Sequence, residues 1–159
     1  MLCLALQACG YQFSGTQPLP SGIDTIAVHV VTNRTRQTGL EVAVTNALVN
    51  ELVRHRKGMV VNEAQAQGIL SGTILSMETD VTARRSTRQV VQRQVTITLS
   101  LILKNRAGKI IWQDNNLRAR RSYRVSDDRL ATEANRLEAV NLAVQRLAED
   151  AYQGIMLGI

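Results

Sequence analysis

The sequence predicts an α+β domain, a two-layer sandwich with two helices on one face of a four-stranded mixed sheet, in the order β-α-β-β-β-α. Three observations carry this. Residues 89–104, QVVQRQVTITLSLILK, alternate with period two: Val91, Val95, Ile97, Leu99, Leu101 and Leu103 share one face, and Gln92, Gln94, Thr96, Thr98 and Ser100 share the other. One face of that strand is therefore buried and the other wet. Residues 40–56 and 126–159 instead carry apolar residues three and four apart, the period of amphipathic helices. A helix between the first two strands favours a right-handed crossover with those strands parallel, and two amphipathic helices need a sheet face to cover.

The elements follow in order. IDTIAVHVV (23–31) is β-branched and apolar, a buried strand. TNRTRQTG (32–39) is a polar loop. In residues 40–56, Leu40, Ala43, Ala47 and Val44, Leu48, Leu52 build the helix stripe, and Gly58 is placed to stop it. GILSGTILSMETDVT (68–82) is the second strand. After the third strand, NRAGK (105–109) is a hairpin loop, and IIWQDNNLRARRSYRV (110–125) pairs back as the fourth. A long helix capped by Ser126 or Asp127 closes the chain, with Ala134, Leu137, Val140, Val144, Leu147, Ala151 and Ile155 as its core stripe. Residues 23–159 thus form a single domain, and the 159-residue length suits one core.

The net charge is +6, and sixteen of the nineteen basic residues are Arg. The planar guanidinium suits phosphate and carboxylate, so the composition is compatible with nucleic acid, phospholipid or phosphorylated glycolipid. Coding bias and a solvated surface explain the same total. One Trp and one Phe argue against a binding surface built on aromatic stacking. His29 and His55 have no evident ligand set. No glycine-rich phosphate loop or nucleophile elbow is present. Asp127-Asp128 and Glu149-Asp150 are explained by helix-dipole matching and solvation. The residues make no case for an enzyme, a metal or a cofactor.

Both cysteines, Cys3 and Cys9, lie at the N-terminus, so no disulfide can staple the fold. Leu2 to Leu6 looks like the end of a signal's apolar region, and Ala8 is the small residue before the cut. Met1 runs straight into this segment with no basic region. Only eight residues precede Cys9, against roughly 15 to 30 in such signals, so residues 1–8 are expected to be a residual signal peptide. Leu6-Gln7-Ala8-Cys9 resembles a bacterial lipobox, with Gln less usual than a small residue at its second position. The resemblance implies that Cys9 takes a diacylglycerol thioether and, after cleavage, an acylated amino group. Two or more acyl chains anchor stably where one does not. Gly10 rather than Asp then implies outer-membrane delivery. Residues 9–22 form the anchor and tether, in which SGTQPLPSG (14–22) holds both prolines. The alternative is a free thiol at a frayed end.

Arg84, Arg85, Arg88 and Arg93 lie in the loop into the third strand and near its start. Arg118, Arg120, Arg121 and Arg124 lie near the end of the fourth. A hairpin closing at residues 105–108 brings the two groups to one end of the sheet. With Lys104 opposite Lys109, Arg93 is expected opposite Arg120. Like charges so opposed are destabilising, and eight arginines without an acidic counterpart ask for an anion, with phosphate the natural match. The other reading is a basic sheet edge that deters aggregation.

Several short stretches now coincide: Cys9-Gly10-Tyr11; Asn33-Arg34-Thr35 followed by Gly39-Leu40-Glu41, with Leu48 and Leu52 on the ensuing helix; Gly68-Ile69-Leu70-Ser71-Gly72-Thr73-Ile74; and an alanine- and leucine-rich last helix. Together they resemble the LptE family of lipopolysaccharide-assembly lipoproteins over essentially the whole mature chain. The resemblance implies a plug inside the LptD β-barrel, lipid-anchored on the periplasmic side of the outer membrane. Such a plug helps the barrel assemble and assists lipopolysaccharide insertion into the outer leaflet. It also implies lipopolysaccharide binding by basic residues near the loop between the second and third strands and the facing strand end, the region that Arg85, Arg88, Arg93, Arg118, Arg120 and Arg121 occupy here without a one-for-one match. The implied partners are an LptD-type barrel, lipopolysaccharide and the membrane through the N-terminal lipid; export argues against nucleic acid. The absent basic region and the short tail after the last helix depart from the family pattern. A competing class is a periplasmic lipoprotein adaptor binding another envelope protein, as cell-wall synthase regulators and secretion-type lipoproteins do.

Overall fold

The computed structural model describes residues 22–87 and 89–158. Cys9, most of the expected tether and Arg88 lie outside the described residues. Within them the α+β sandwich is as expected. Its strands are β1 (Ile26–Val28), β2 (Thr32–Asn33), β3 (Gly68–Arg84), β4 (Val90–Asn105) and β5 (Ile110–Arg124). Its helices are α1 (Leu40–His55) and α2 (Arg129–Leu157).

The strand expected over residues 23–31 is confined to β1, and a second short strand, β2, opens the stretch 32–39 that was expected to be loop throughout. β1 runs parallel to β3 from Ile26 opposite Gly68 to Val28 opposite Leu70. β2 pairs further along the same edge, Thr32 opposite Thr73 and Asn33 opposite Ile74. Between them the backbone leaves the ladder. The Val31 N–H donates to Thr45 Oγ1 of α1 at 3.0 Å while Val31 is buried, and Val30 turns out to solvent. The sheet therefore has five strands, in the order β1-β3-β4-β5 with β2 beside β3.

The antiparallel meander β3-β4-β5 forms because β4 keeps its alternation. Val95, Ile97, Leu99, Leu101 and Leu103 are all buried. Both helices cover that face, with Leu40, Val44, Leu48 and Leu52 of α1 and Val140, Val144, Leu147, Ala151 and Ile155 of α2 in one core. The expected α2 stripe fails only at its start, where Ala134 and Leu137 are exposed. The first two turns of α2 stand clear of the core, and periodicity alone cannot say where a helix loses its cover. Small residues set the helix close to the sheet further on. A Cβ on Gly154 would sit 2.9 Å from Cζ2 of the buried Trp112.

The α2 cap is Asp128 rather than Ser126 or Asp127. Its carboxylate accepts from the Leu130 N–H at 2.9 Å. Ser126 is occupied by Thr132, donating its N–H to the threonine hydroxyl and accepting from it at its own carbonyl. The Asn33 loop is closed in the same local way. Its amide donates to the Gln37 carbonyl and the Glu41 carboxylate, and its oxygen accepts from the Thr35 N–H and hydroxyl. The Glu41 carboxyl is held below the usual carboxylate range, first by its own backbone N–H and then by the Asn33 amide.

Candidate functional site

β3 and β4 are joined by a hairpin in which the Arg85 N–H reaches the Gln89 carbonyl at 2.9 Å. The end of β5 lies beside it, Gln92 opposite Arg124 and the Val125 N–H on the Val91 carbonyl at 3.1 Å. Arg84, Arg85, Arg93, Arg120, Arg121 and Arg124 thus lie in the half of the sheet nearest that hairpin, and Arg118, opposite Thr98, stands midway along β4. Arg85 and Arg124 line a common cavity of about 530 Å³ with Gln89, Gln92 and Asp127.

The expected pairing of Arg93 with Arg120 does not occur. Arg93 stands opposite Tyr123, and Arg120 opposite Thr96. Two causes add up. The hairpin closes one residue later than expected, with Lys104 opposite Ile110. β5 then takes an extra residue between the pairs at Lys104 and Leu103, and another between those at Leu101 and Leu99. The slip is an odd number of residues, and side chains alternate faces, so it separates the arginines across the sheet.

On the helix-covered side Arg93 shares a face with Tyr123, and Arg121 with Val95; both arginines are half-buried. On the open side Arg118 faces Thr98, Arg120 faces Thr96 and Arg124 faces Gln92; all three are exposed. This split satisfies the sheet: no arginine of the group stands directly opposite another.

An acidic counterpart also exists on the open face, contrary to expectation. Glu78 and Asp80 of β3 stand opposite Thr96 and Gln94 of β4. Glu78, Thr96 and Arg120 therefore form one row across three strands. The sequence carried a signal for this, because Glu78 and Asp80 are two apart on a strand and must share a face. Only the register says that this is the face of Arg118 and Arg120.

Among the described residues none of these seven arginines is in an ion pair; such pairs belong to Arg54, Arg56, Arg136, Arg146 and the two histidines. The Arg118 Nε donates to Asn116 Oδ1 at 2.9 Å, and Arg121 Nη1 donates to the Arg120 carbonyl at 3.0 Å. His29 meets Glu63 at 3.1 Å and His55 meets Glu51 at 2.8 Å. No three His, Cys, Asp or Glu side chains gather to hold a metal among the described residues, and no helix there is long and apolar enough to cross a membrane.

Fold and site together define a two-layer sheet-and-helix module in which seven arginines of β3, β4, β5 and the β3–β4 hairpin stand outside any ion pair among the described residues. Residues 23–157 match the family model LptE, lipopolysaccharide-assembly. The chain belongs to that family, which is one of non-enzymatic lipoproteins. Solved structures share the fold. A lipoprotein from Caulobacter crescentus has a TM-score of 0.56 at 12% identity, covering 80% of this chain and 88% of its own. Rare lipoprotein B from Shewanella oneidensis gives 0.56 at 14% identity, with 80% and 92% covered. A hypothetical protein from Chlamydia trachomatis gives 0.54 at 14% identity, with 85% and 98% covered. A search of curated proteins by sequence finds no match.

Proposed function

We propose that this chain is an outer-membrane lipoprotein that plugs and helps assemble an LptD-type β-barrel and assists delivery of lipopolysaccharide to the outer leaflet. Cys9 carries the lipid, and the domain hangs on the periplasmic side. The arginine-rich end of the sheet, Arg84, Arg85, Arg88, Arg93, Arg118, Arg120, Arg121 and Arg124, takes the phosphates of lipid A. Family membership supports the reading, and one observation carries it to residues. Seven of these arginines are left without an acidic partner within ion-pair distance among the described residues, and three of them, Arg118, Arg120 and Arg124, are exposed together on the open polar sheet face. A guanidinium left unpaired in this way is free to give a phosphate two parallel hydrogen bonds.

The test is lipopolysaccharide binding by the purified full chain. Arg118→Glu with Arg120→Glu should remove most of it, and binding by the parent should weaken with salt as charges are screened over about 8 Å at physiological ionic strength. Arg146→Glu, on the distant α2 helix, should change little. Unchanged affinity of the Arg118/Arg120 variant would sink the lipid-binding role. A photo-crosslinker at Thr96 on the open face should trap a large outer-membrane barrel protein in intact cells. Capture of a different envelope protein instead would move the chain to the adaptor class.

A further inference from the structure

The open sheet face carries a second charge pattern that anion binding alone does not use. Ser76, Glu78, Asp80, Thr96, Arg118 and Arg120 line a groove of about 370 Å³ across β3, β4 and β5. Its acidic stripe is on β3 and its basic stripe on β5, with the neutral Thr and Gln side chains of β4 as a floor. Neighbouring strands lie about 4.8 Å apart, so the Glu78 and Arg120 backbones are separated by about 10 Å. An extended arginine could span much of that gap. Yet among the described residues neither Glu78, Asp80 nor Arg120 is in an ion pair, and Arg118 turns its Nε to Asn116 instead. The stripes hold opposite charges apart over a polar floor.

We propose that this groove binds a phosphate that also carries an ammonium, a phosphoethanolamine-type group. Arg118 and Arg120 take the phosphate, and Glu78 and Asp80 take the ammonium. The inference rests on the reading of the arginine-rich end as a phosphate site, and adds which phosphate it prefers. A bare anion at Arg118 and Arg120 feels Glu78 and Asp80 across a distance comparable with the screening length of about 8 Å, which works against it. A group with opposite charges joined by a short linker turns that repulsion into a second contact, and its ammonium supplies the donors that two carboxylates lack. Thr96 and Gln94 leave hydroxyl and amide groups for the remaining phosphate oxygens.

The experiment titrates the purified full chain with O-phosphoethanolamine, inorganic phosphate and ethanolamine, followed by amide chemical shifts of groove residues. The parent should bind O-phosphoethanolamine roughly tenfold more tightly than phosphate, the scale of one added hydrogen bond to a charged group. Glu78→Gln with Asp80→Asn should erase that preference while phosphate binding stays. Both positions are exposed, so the fold, followed by circular dichroism, should not change. A parent that binds the two phosphates equally would overturn the inference. If that parent still binds lipopolysaccharide, the phosphate reading survives alone. Vesicles separate the sources of such a group, using Cys9→Ala protein so that no acyl chain drives flotation. Flotation with phosphatidylethanolamine/phosphatidylglycerol vesicles but not with phosphatidylglycerol alone points to a bilayer headgroup. Preference for the soluble probe without such flotation points to a phosphoethanolamine borne by a saccharide.

Discussion

His55 of α1 lies flat against Tyr152 of α2, ring centroids 4.0 Å apart and planes 8° from parallel. The imidazole Nε2 meets Glu51 Oε1 at 2.8 Å, and the Glu51 carboxylate also takes Arg54 Nη2 at 2.8 Å. One carboxylate, buried on α1, thus holds the ring that joins the two helices. Aromatic pairs of this kind contribute about 0.5–1.5 kcal/mol beyond the area they bury.

The first prediction follows from that contact. The Tyr152 hydroxyl is pushed above its ordinary value of 10.0, first by burial and then by the Glu51 charge. The native state therefore keeps this proton after the unfolded chain has begun to lose it. Its contribution to stability is intact below about pH 10 and is lost as pH rises from there through the raised native value. Urea unfolding midpoints of the parent should fall more steeply above about pH 10 than those of Tyr152→Phe. Parallel declines would assign the alkaline sensitivity to other groups.

Much of the fold was legible because it is written in local periods. The alternation of β4 and the stripe of α1 need no partner to be seen. The break at Val31 was not legible, because it depends on Thr45 of a helix not yet placed. Nor was the β4–β5 register, since an extra residue in β5 leaves the pattern of β4 untouched. Arg93 and Arg120 were therefore expected on one face and lie on opposite ones, Arg118 stands nearer the middle of the sheet than its end, and Glu78 and Asp80 were missed as neighbours of Arg118 and Arg120.

Gly72 should not tolerate a side chain. It faces Leu101 across β3 and β4, and a Cβ would lie 2.5 Å from Leu101 Cδ2 and 2.7 Å from the Ser100 carbonyl. A leucine can change rotamer, but a ladder carbonyl cannot step aside without breaking strand geometry. Gly72→Ala should destabilise by about 1–3 kcal/mol, a drop of several degrees in thermal midpoint. An unchanged midpoint would mean that the strands separate here at no cost.

The lipid anchor makes a separate claim. Intact mass measurement of the membrane-extracted protein should show a chain beginning at Cys9 with acyl mass added. Cys9→Ala should leave circular dichroism unchanged and release the domain from membranes. Native protein with an unmodified Cys9 would remove the anchor from the proposal.

The last prediction sets the two faces of the sheet against each other. Arg118 and Arg120 are exposed beside Thr98 and Thr96, so reversing them to Glu touches no core residue. Surface changes of this kind stay within about 0.5 kcal/mol, and here lipopolysaccharide binding should be what falls. Arg93 and Arg121 are different. They are half-buried beside Tyr123 and the fully buried Val95 on the helix-covered face, a position in which a long arginine stem packs along apolar surface. Arg93→Glu with Arg121→Glu shortens both stems and brings two carboxylates to the rim of the core. That variant should lose about 1–3 kcal/mol, the range for lost packing and poorly solvated charge. Urea unfolding of both double variants, run beside the binding assay, separates the effects. The open-face pair should lose binding at parental stability, and the covered-face pair should lose stability. Equal midpoints would show that the split of the arginines between the faces has no energetic consequence, and both pairs would then count as solvated charge at one end of the sheet.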